Sequence, residues 1–271
     1  MLVIKGFFMG IANIIPGVSG GTLAITMGIY EDLIGAISHF FSHFKKNIIF
    51  LIPIGIGAVL AIALGSKAIG YSLDAFPLPT ILFFAGLILG GIPMLYGKIK
   101  GEWKVRNILI FLLTFAFVIG LMFLKTGKDV QLQNIDFMGY FMLFLVGIVA
   151  SATMIIPGIS GSFMLMVMGY YEPIVNTINE LTSFQNVGHN IAVLIPLGLG
   201  ILVGIVGIAK LIEFLFKKFE VPTYFGIIGF VLSSIIGIFV STKGLVFAPL
   251  PVIVGIVLFI LGFGIAYKLG D

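Results

Sequence analysis

Ile14-Ile15-Pro16-Gly17-Val18-Ser19-Gly20-Gly21-Thr22 breaks an apolar run near the start of the chain, and Ile155-Ile156-Pro157-Gly158-Ile159-Ser160-Gly161-Ser162 breaks another at an offset of 141. Ten of the eighteen positions from Ile14 to Glu31 are identical at that offset, closing on Met27-Gly28 with Tyr30-Glu31 against Met168-Gly169 with Tyr171-Glu172. Proline removes a backbone donor and glycine frees the backbone, so each stretch ends one helix and begins another.

The surroundings of the breaks set the medium. Of 271 residues, 60% are hydrophobic and 10% charged, against roughly 25% charged in soluble domains. Apolar stretches long enough to cross a bilayer recur to the end, so the expected fold is an all-α polytopic membrane protein. Leu2–Ile15 reaches only about 21 Å at ~1.5 Å per residue, short of a ~30 Å hydrocarbon core. Two such short pieces around a break read as a broken or re-entrant hairpin. Lys5 alone precedes the first break, and no small-residue cleavage site follows, so the segment is expected to be retained.

Further correspondences extend the repeat. Asn190-Ile191, Leu194-Ile195-Pro196, Gly198 and Gly200 mirror Asn47-Ile48, Leu51-Ile52-Pro53, Gly55 and Gly57 at an offset of 143, and Pro222-Thr223 mirrors Pro79-Thr80. The Ile-Pro-x-Gly-x-Gly pair reads as a kink with helix packing. One integrated membrane domain of two repeats is expected. Repeat 1–128 holds hairpin 2–38 and spans 48–64, 80–96 and 108–124. Repeat 129–271 holds hairpin 138–178 and spans 191–209, 223–240 and 250–267. Segments 66–79 and 180–190 read as loops.

Charge orients the repeats. If each hairpin returns to its own side, the repeats are inverted. One face then collects Lys5, Lys45, Lys46, Lys98, Lys100, Lys104, Arg106, Lys210, Lys217, Lys218 and Lys268, which is 11 of the 15 basic residues. If each broken segment crosses once, the split is 7 against 8. The positive-inside rule selects inverted-topology repeats, a multi-pass arrangement with both termini cytoplasmic.

Inverted repeats with discontinuous helices place substrate near the midplane, where helix N-termini face anions. Gly17, Gly20, Gly21, Gly158 and Gly161 let the backbone turn, and Ser19, Thr22, Ser160 and Ser162 add hydroxyls to free N–H groups. Together these suit a phosphate. Asn13 is a further donor, and its counterpart is Met154, so the two half-sites are not equivalent. Packing alone is the competing reading of the glycines. Glu31 and Glu172 lie about ten residues past their breaks, ~15 Å along a helix. They read either as interface residues or as a coupling or gating pair for protons or sodium ions. Tyr30 and Tyr171 are assigned to the aromatic belt. His39 and His43 lie beside Lys45-Lys46 at the membrane surface. The basic run Lys98–Arg106 is a topology signal that also suits anionic lipid headgroups. The chain has no cysteine, which excludes disulfides and Cys-ligated metals. No metal-ligand spacing, nucleotide loop or nucleic-acid motif is present, so neither cofactor nor nucleic-acid partner is expected. The oligomeric state is left open.

Gly6-x-x-x-Gly10, Ile15-Pro16-Gly17-Val18-Ser19-Gly20-Gly21-Thr22 and Gly28-x-Tyr30-Glu31, with Ile156-Pro157-Gly158-Ile159-Ser160-Gly161-Ser162 and Gly169-Tyr170-Tyr171-Glu172, resemble the PopT-type polyprenyl-phosphate transporters over the whole chain. The resemblance implies a flippase that returns undecaprenyl phosphate across the bacterial plasma membrane for reuse in cell-envelope and peptidoglycan precursor delivery. It implies a headgroup role for Ser19, Gly20, Gly21, Thr22, Ser160, Gly161 and Ser162. Two alternatives stand beside it. One is an ion-coupled small-anion transporter or channel using the same helix ends. The other is a membrane-embedded polyprenyl-diphosphate phosphatase, which resembles this break but needs an Arg where Gly20 and Gly161 stand, and clustered Glu residues. The expectation is a transporter and not an enzyme.

Overall fold

The computed structural model describes residues 1–15, 18–124, 126–133 and 135–270, and among these residues it is helical with no strand. The helices fall into two matching series. The first is α1 (Leu2–Ile14), α2 (Gly20–Thr26), α3 (Tyr30–Ser38), α4 (Phe44–Ala75), α5 (Pro77–Gly90), α6 (Ile92–Ile99) and α7 (Val105–Met122). The second is α8 (Phe137–Ile155), α9 (Gly161–Met168), α10 (Tyr171–Thr182), α11 (Val187–Lys218), α12 (Glu220–Ser241) and α13 (Pro249–Gly270). Among the described residues seven segments are long and apolar enough to cross a bilayer, with α5 and α6 forming one of them. The chain is a multi-pass membrane protein.

Four boundaries differ from expectation. Segment 66–79 is mostly helix, because α4 runs to Ala75 and α11 matches it residue for residue, each with 32 residues. Lys67 and Asp74 make this stretch polar, but nothing in it stops a helix before Pro77. Both long helices end on a phenylalanine of one backbone geometry, Phe76 at φ −137°, ψ 56° and Phe219 at φ −138°, ψ 51°. The Thr80 and Thr223 hydroxyls donate to the Phe76 and Phe219 carbonyls at 2.8 and 2.7 Å. Each long helix is thus joined to the next through a single residue.

The second difference lies in the hairpins. Their outgoing arms are not single helices, for Gly28 at φ +67° separates α2 from α3, and Gly169 at φ +76° separates α9 from α10. Glycine is the residue that ends a helix in this left-handed conformation. The third is in the expected span 80–96, which breaks at Gly91, where any side chain would overlap Thr26 of α2. The expected loop 180–190 is likewise partly helical, at both ends.

Small residues fix the pairings, as expected where helices associate by close packing rather than by hydrophobic transfer. Gly57 of α4 lies against the backbone of Val3 and Phe7, and Gly6 against Ile54. In the second half Gly200 lies against Phe144 and Gly147 against Leu197. The Pro-x-Gly-x-Gly motifs therefore do make helix contacts. Gly55 and Gly198, by contrast, face open space. Rising residue numbers match along each pair, so α1 runs parallel to α4 and α8 to α11. Crossed pairs join the halves. Gly86 and Gly90 of α5 meet Phe259 and Phe263 of α13, and Gly226 and Gly229 of α12 meet Ile110 and Thr114 of α7. Both of these pairs are parallel too.

The first hairpin sits at the centre of the main core. Every residue of α2 is buried, whereas in α9 only Gly161 is. Lys5 donates through Nζ to the Met27 carbonyl at 2.6 Å, tying the end of α2 back to the start of α1. The end of α2 therefore lies within one side chain's reach of the first turns of α1.

Candidate helix-break site

The two breaks meet. The Gly158 N–H donates to Thr22 Oγ1 at 2.8 Å, and the Ser19 hydroxyl donates to the Met154 carbonyl at 3.3 Å. A side chain on Gly21 would collide with the Ile155 carbonyl at 2.7 Å. The Tyr30 hydroxyl donates to that same carbonyl at 3.1 Å. The last carbonyls of a helix have no partner within it. Here α8 ends inside the protein, and Ser19 and Tyr30 take up its two final carbonyl groups.

Tyr30 is therefore a core residue, only 4% exposed, and not part of an aromatic belt. Its recurrence in Gly-x-Tyr-Glu was the signal available in the sequence. The belt assignment fails because α3 runs inward between α2 and α11 instead of along the membrane surface.

The first break spends its donors internally. The Gly20 N–H donates to Asn13 Oδ1 at 3.0 Å, and the Gly21 N–H to Ser19 Oγ at 3.2 Å. The Thr22 N–H donates to the Ser19 carbonyl at 3.0 Å. Ser19 and Thr22 are buried, at 2% and 0% exposure. Gly17 lies outside the described residues. The N-terminus of α2 is capped on every side and acts as a clamp on α8.

The second break is different. α9 starts from Ser160 with no side-chain cap. Met154 stands where the first half has Asn13, and its thioether packs on Gly161 instead of accepting from an N–H. Ser160 Oγ and Ser162 Oγ lie 2.7 Å apart and both line a cavity of about 290 Å³. Gly158, Ile159 and Phe163 continue the wall, with Met122 of α7 and Ser241 of α12 opposite. A helix N-terminus with unspent N–H groups and two hydroxyls can hold an oxyanion. Asn13 against Met154 is the sequence difference that accompanies a sealed first break and an open second one.

Gly158 is also a partition. It adopts φ +83°, and any side chain there would strike the Phe230 carbonyl. On the other side of this contact lies a larger groove of about 530 Å³ between α7, α11 and α12. Its inner end is Ile156, Pro157 and Phe230, and its outer end carries Arg106. The serine-lined cavity and this groove are thus two lengths of one seam along the parallel α7 and α12.

Glu31 and Glu172 lie apart from the meeting point. Glu31 accepts from the Tyr224 hydroxyl and sits 3.8 Å from Lys98 Nζ. Glu172 lines a separate polar cavity of about 430 Å³ with Asp129, Glu180 and His189. The structure brings together Asn13, Ser19, Gly20, Gly21, Thr22, Gly158, Ser160, Gly161 and Ser162, and does not bring the two glutamates among them. Among the described residues, no group of three or more His, Asp or Glu side chains is placed to hold a metal.

Comparison with known proteins gives one consistent result. A family described as undecaprenyl phosphate translocase-like matches residues 9–248. A polyprenyl-phosphate transporter of Staphylococcus aureus is 34% identical over 273 aligned residues, covering 99% of this chain and 95% of the relative. A polyprenyl-phosphate transporter of Vibrio cholerae is 29% identical over 246 residues, covering 86% and 75% respectively. No solved structure matches.

Proposed function

We propose, from the premise that the chain belongs to the undecaprenyl phosphate translocase-like family, that it carries a polyprenyl phosphate between the leaflets of the bacterial plasma membrane, with the phosphate received at the N-terminus of α9. Its relatives bear the names of transporters, not enzymes. The observation that carries the reading is the contrast between the breaks. The α2 terminus is sealed by Asn13 and Ser19, while the α9 terminus presents Ser160, Gly161 and Ser162 to a cavity. The first break serves the site indirectly by fixing the end of α8 and the amide of Gly158.

The carried lipid is undecaprenyl phosphate, returned to the cytoplasmic leaflet for reuse. A lipid suits this site better than a free anion does, because the seam beside the serines is walled by apolar side chains that a hydrated ion would not fill. We take the halves as inverted repeats with both termini in the cytoplasm. Two features support this. Successive spans must cross a bilayer in opposite directions, so with α5 after α4 and α12 after α11 the parallel pairs α7–α12 and α5–α13 match only if α4 and α11 run in opposite directions. The basic residues also gather at one end of that arrangement. Glu31 and Glu172 then stand toward opposite faces and serve coupling to protons or sodium ions.

The test is leaflet exchange of undecaprenyl phosphate in proteoliposomes, with free phosphate followed in parallel. The double variant Ser160→Ala with Ser162→Ala should slow exchange about tenfold or more while leaving the melting temperature unchanged, since hydrogen bonds to a charged group are worth about 1.5–3 kcal/mol each. Unchanged exchange would remove the site from α9. Release of phosphate would make the protein a hydrolase.

A further inference from the structure

The groove headed by Arg106 has no part in the headgroup site at α9. Arg106 is the only arginine of the chain. Its side chain stands exposed at the rim of the 530 Å³ groove, whose lining is nearly all apolar, among it Ile110, Leu211, Leu215 and Ile227. The groove ends on Ile156 and Pro157, the residues directly before Gly158. It therefore stops beside the serine-lined cavity, at the place where Gly158 meets Phe230.

We propose that this groove is a second station for the same lipid, with the first isoprene units lying between α7, α11 and α12 and the phosphate held by Arg106. The proposal rests on the transporter reading. Charge complementarity selects the occupant, since an apolar chain with one anionic end matches an apolar groove with one cation at its end. A guanidinium also binds a phosphate through two parallel N–H groups, which an ammonium does not.

The other half of the protein supplies an internal control. A groove of about 370 Å³ lies at the α4–α5 turn, lined by Phe76, Pro79, Leu250 and Val254. Phe76 and Pro79 correspond to Phe219 and Pro222 of the larger groove at the offset of 143. The position matching Arg106 at that offset is Pro249. One groove of the pair has a cation and the other has none, so a phosphate is retained at one face only. That asymmetry gives the path a preferred end.

Photolabelling tests this. Undecaprenyl phosphate carrying a diazirine in its second isoprene unit is mixed with the intact protein in nanodiscs of phosphatidylethanolamine and phosphatidylglycerol, irradiated, and the adducts are mapped. Adducts are expected on α7 and α11 at Ile110, Leu211 and Leu215. Arg106→Gln should reduce them about tenfold or more, and Arg106→Lys should restore them only in part. The diazirine-bearing alcohol without phosphate should label the groove weakly in every variant. Equal labelling by the alcohol, indifference to Arg106→Gln, or loss of label to added phosphatidylglycerol would overturn the second station. Adducts confined to the α9 cavity would do the same while leaving the transporter reading intact. No adducts anywhere would remove the transporter reading itself.

Discussion

Thr22 of the first break and Ser162 of the second do opposite work. Thr22 Oγ1 is the acceptor for the buried Gly158 N–H. Thr22→Val keeps the shape and leaves that N–H unpaired, a cost of about 1–3 kcal/mol. It should lower the melting temperature in detergent by several degrees. Ser162 is exposed, and Ser162→Ala should leave stability within about 0.5 kcal/mol. If both variants melt like the parent, the sealed and open breaks are not distinct. The residues of both breaks were legible in the sequence because Pro, Gly and Ser stand out in an apolar run and recur at a fixed offset. Their division of labour was not, beyond the mismatch of Asn13 with Met154. Burial is decided by which hairpin lies at the centre, and no local pattern records that. The same blindness put Tyr30 at the membrane surface, because an aromatic at an interface and one in a core look alike in a sequence.

At the scale of elements, glycine spacing sets which helices touch. A Cβ at Gly57 would already drive into the backbone of Val3 and Phe7, while one at Gly55 would meet nothing within 4 Å. Overpacking typically costs about 1–3 kcal/mol and more when backbone is struck. Gly57→Leu should therefore abolish the monodisperse peak in size-exclusion chromatography, and Gly55→Leu should keep it. Equal behaviour would mean that α1 does not pack on α4 as described. The sequence foretold the spans by hydropathy and the hairpins by their broken length. It misplaced the ends of α4 and α11, because polarity marks where a helix leaves hydrocarbon and not where its hydrogen bonding stops. It missed the second breaks at Gly28 and Gly169 as well. A lone glycine within an apolar run is ambiguous between close packing and a left-handed turn.

For the whole molecule the decisive property is direction. A chain without cysteine accepts single reporters anywhere, so Lys45→Cys and Lys243→Cys can be tested with a membrane-impermeant maleimide on intact cells. Lys243 should label from outside and Lys45 only after lysis. The reverse pattern would invert the orientation, and labelling of both from outside would end the inverted-repeat reading. Crossed pairing of α5 with α13 and of α7 with α12 binds the halves into one body, so neither half has a complete core alone. The break site lies where those halves meet, which is why two motifs 141 residues apart in sequence form a single place.

The lengths of the helices act on the membrane itself. α4 and α11, at 32 residues each, rise about 48 Å, while α7, at 18 residues, rises about 27 Å against a hydrocarbon slab of ~30 Å. The charged ends of the long rods, from Lys67 in α4 and Lys210 in α11, carry them out of the slab, and the short α7 leaves lipid tails unmatched on its flank. A bilayer is expected to thin along the side where α7 forms the seam. Under the transporter reading, a headgroup moving along that flank crosses less oil than it would in undisturbed bilayer, so part of the barrier is lowered by deformed lipid rather than by any side chain.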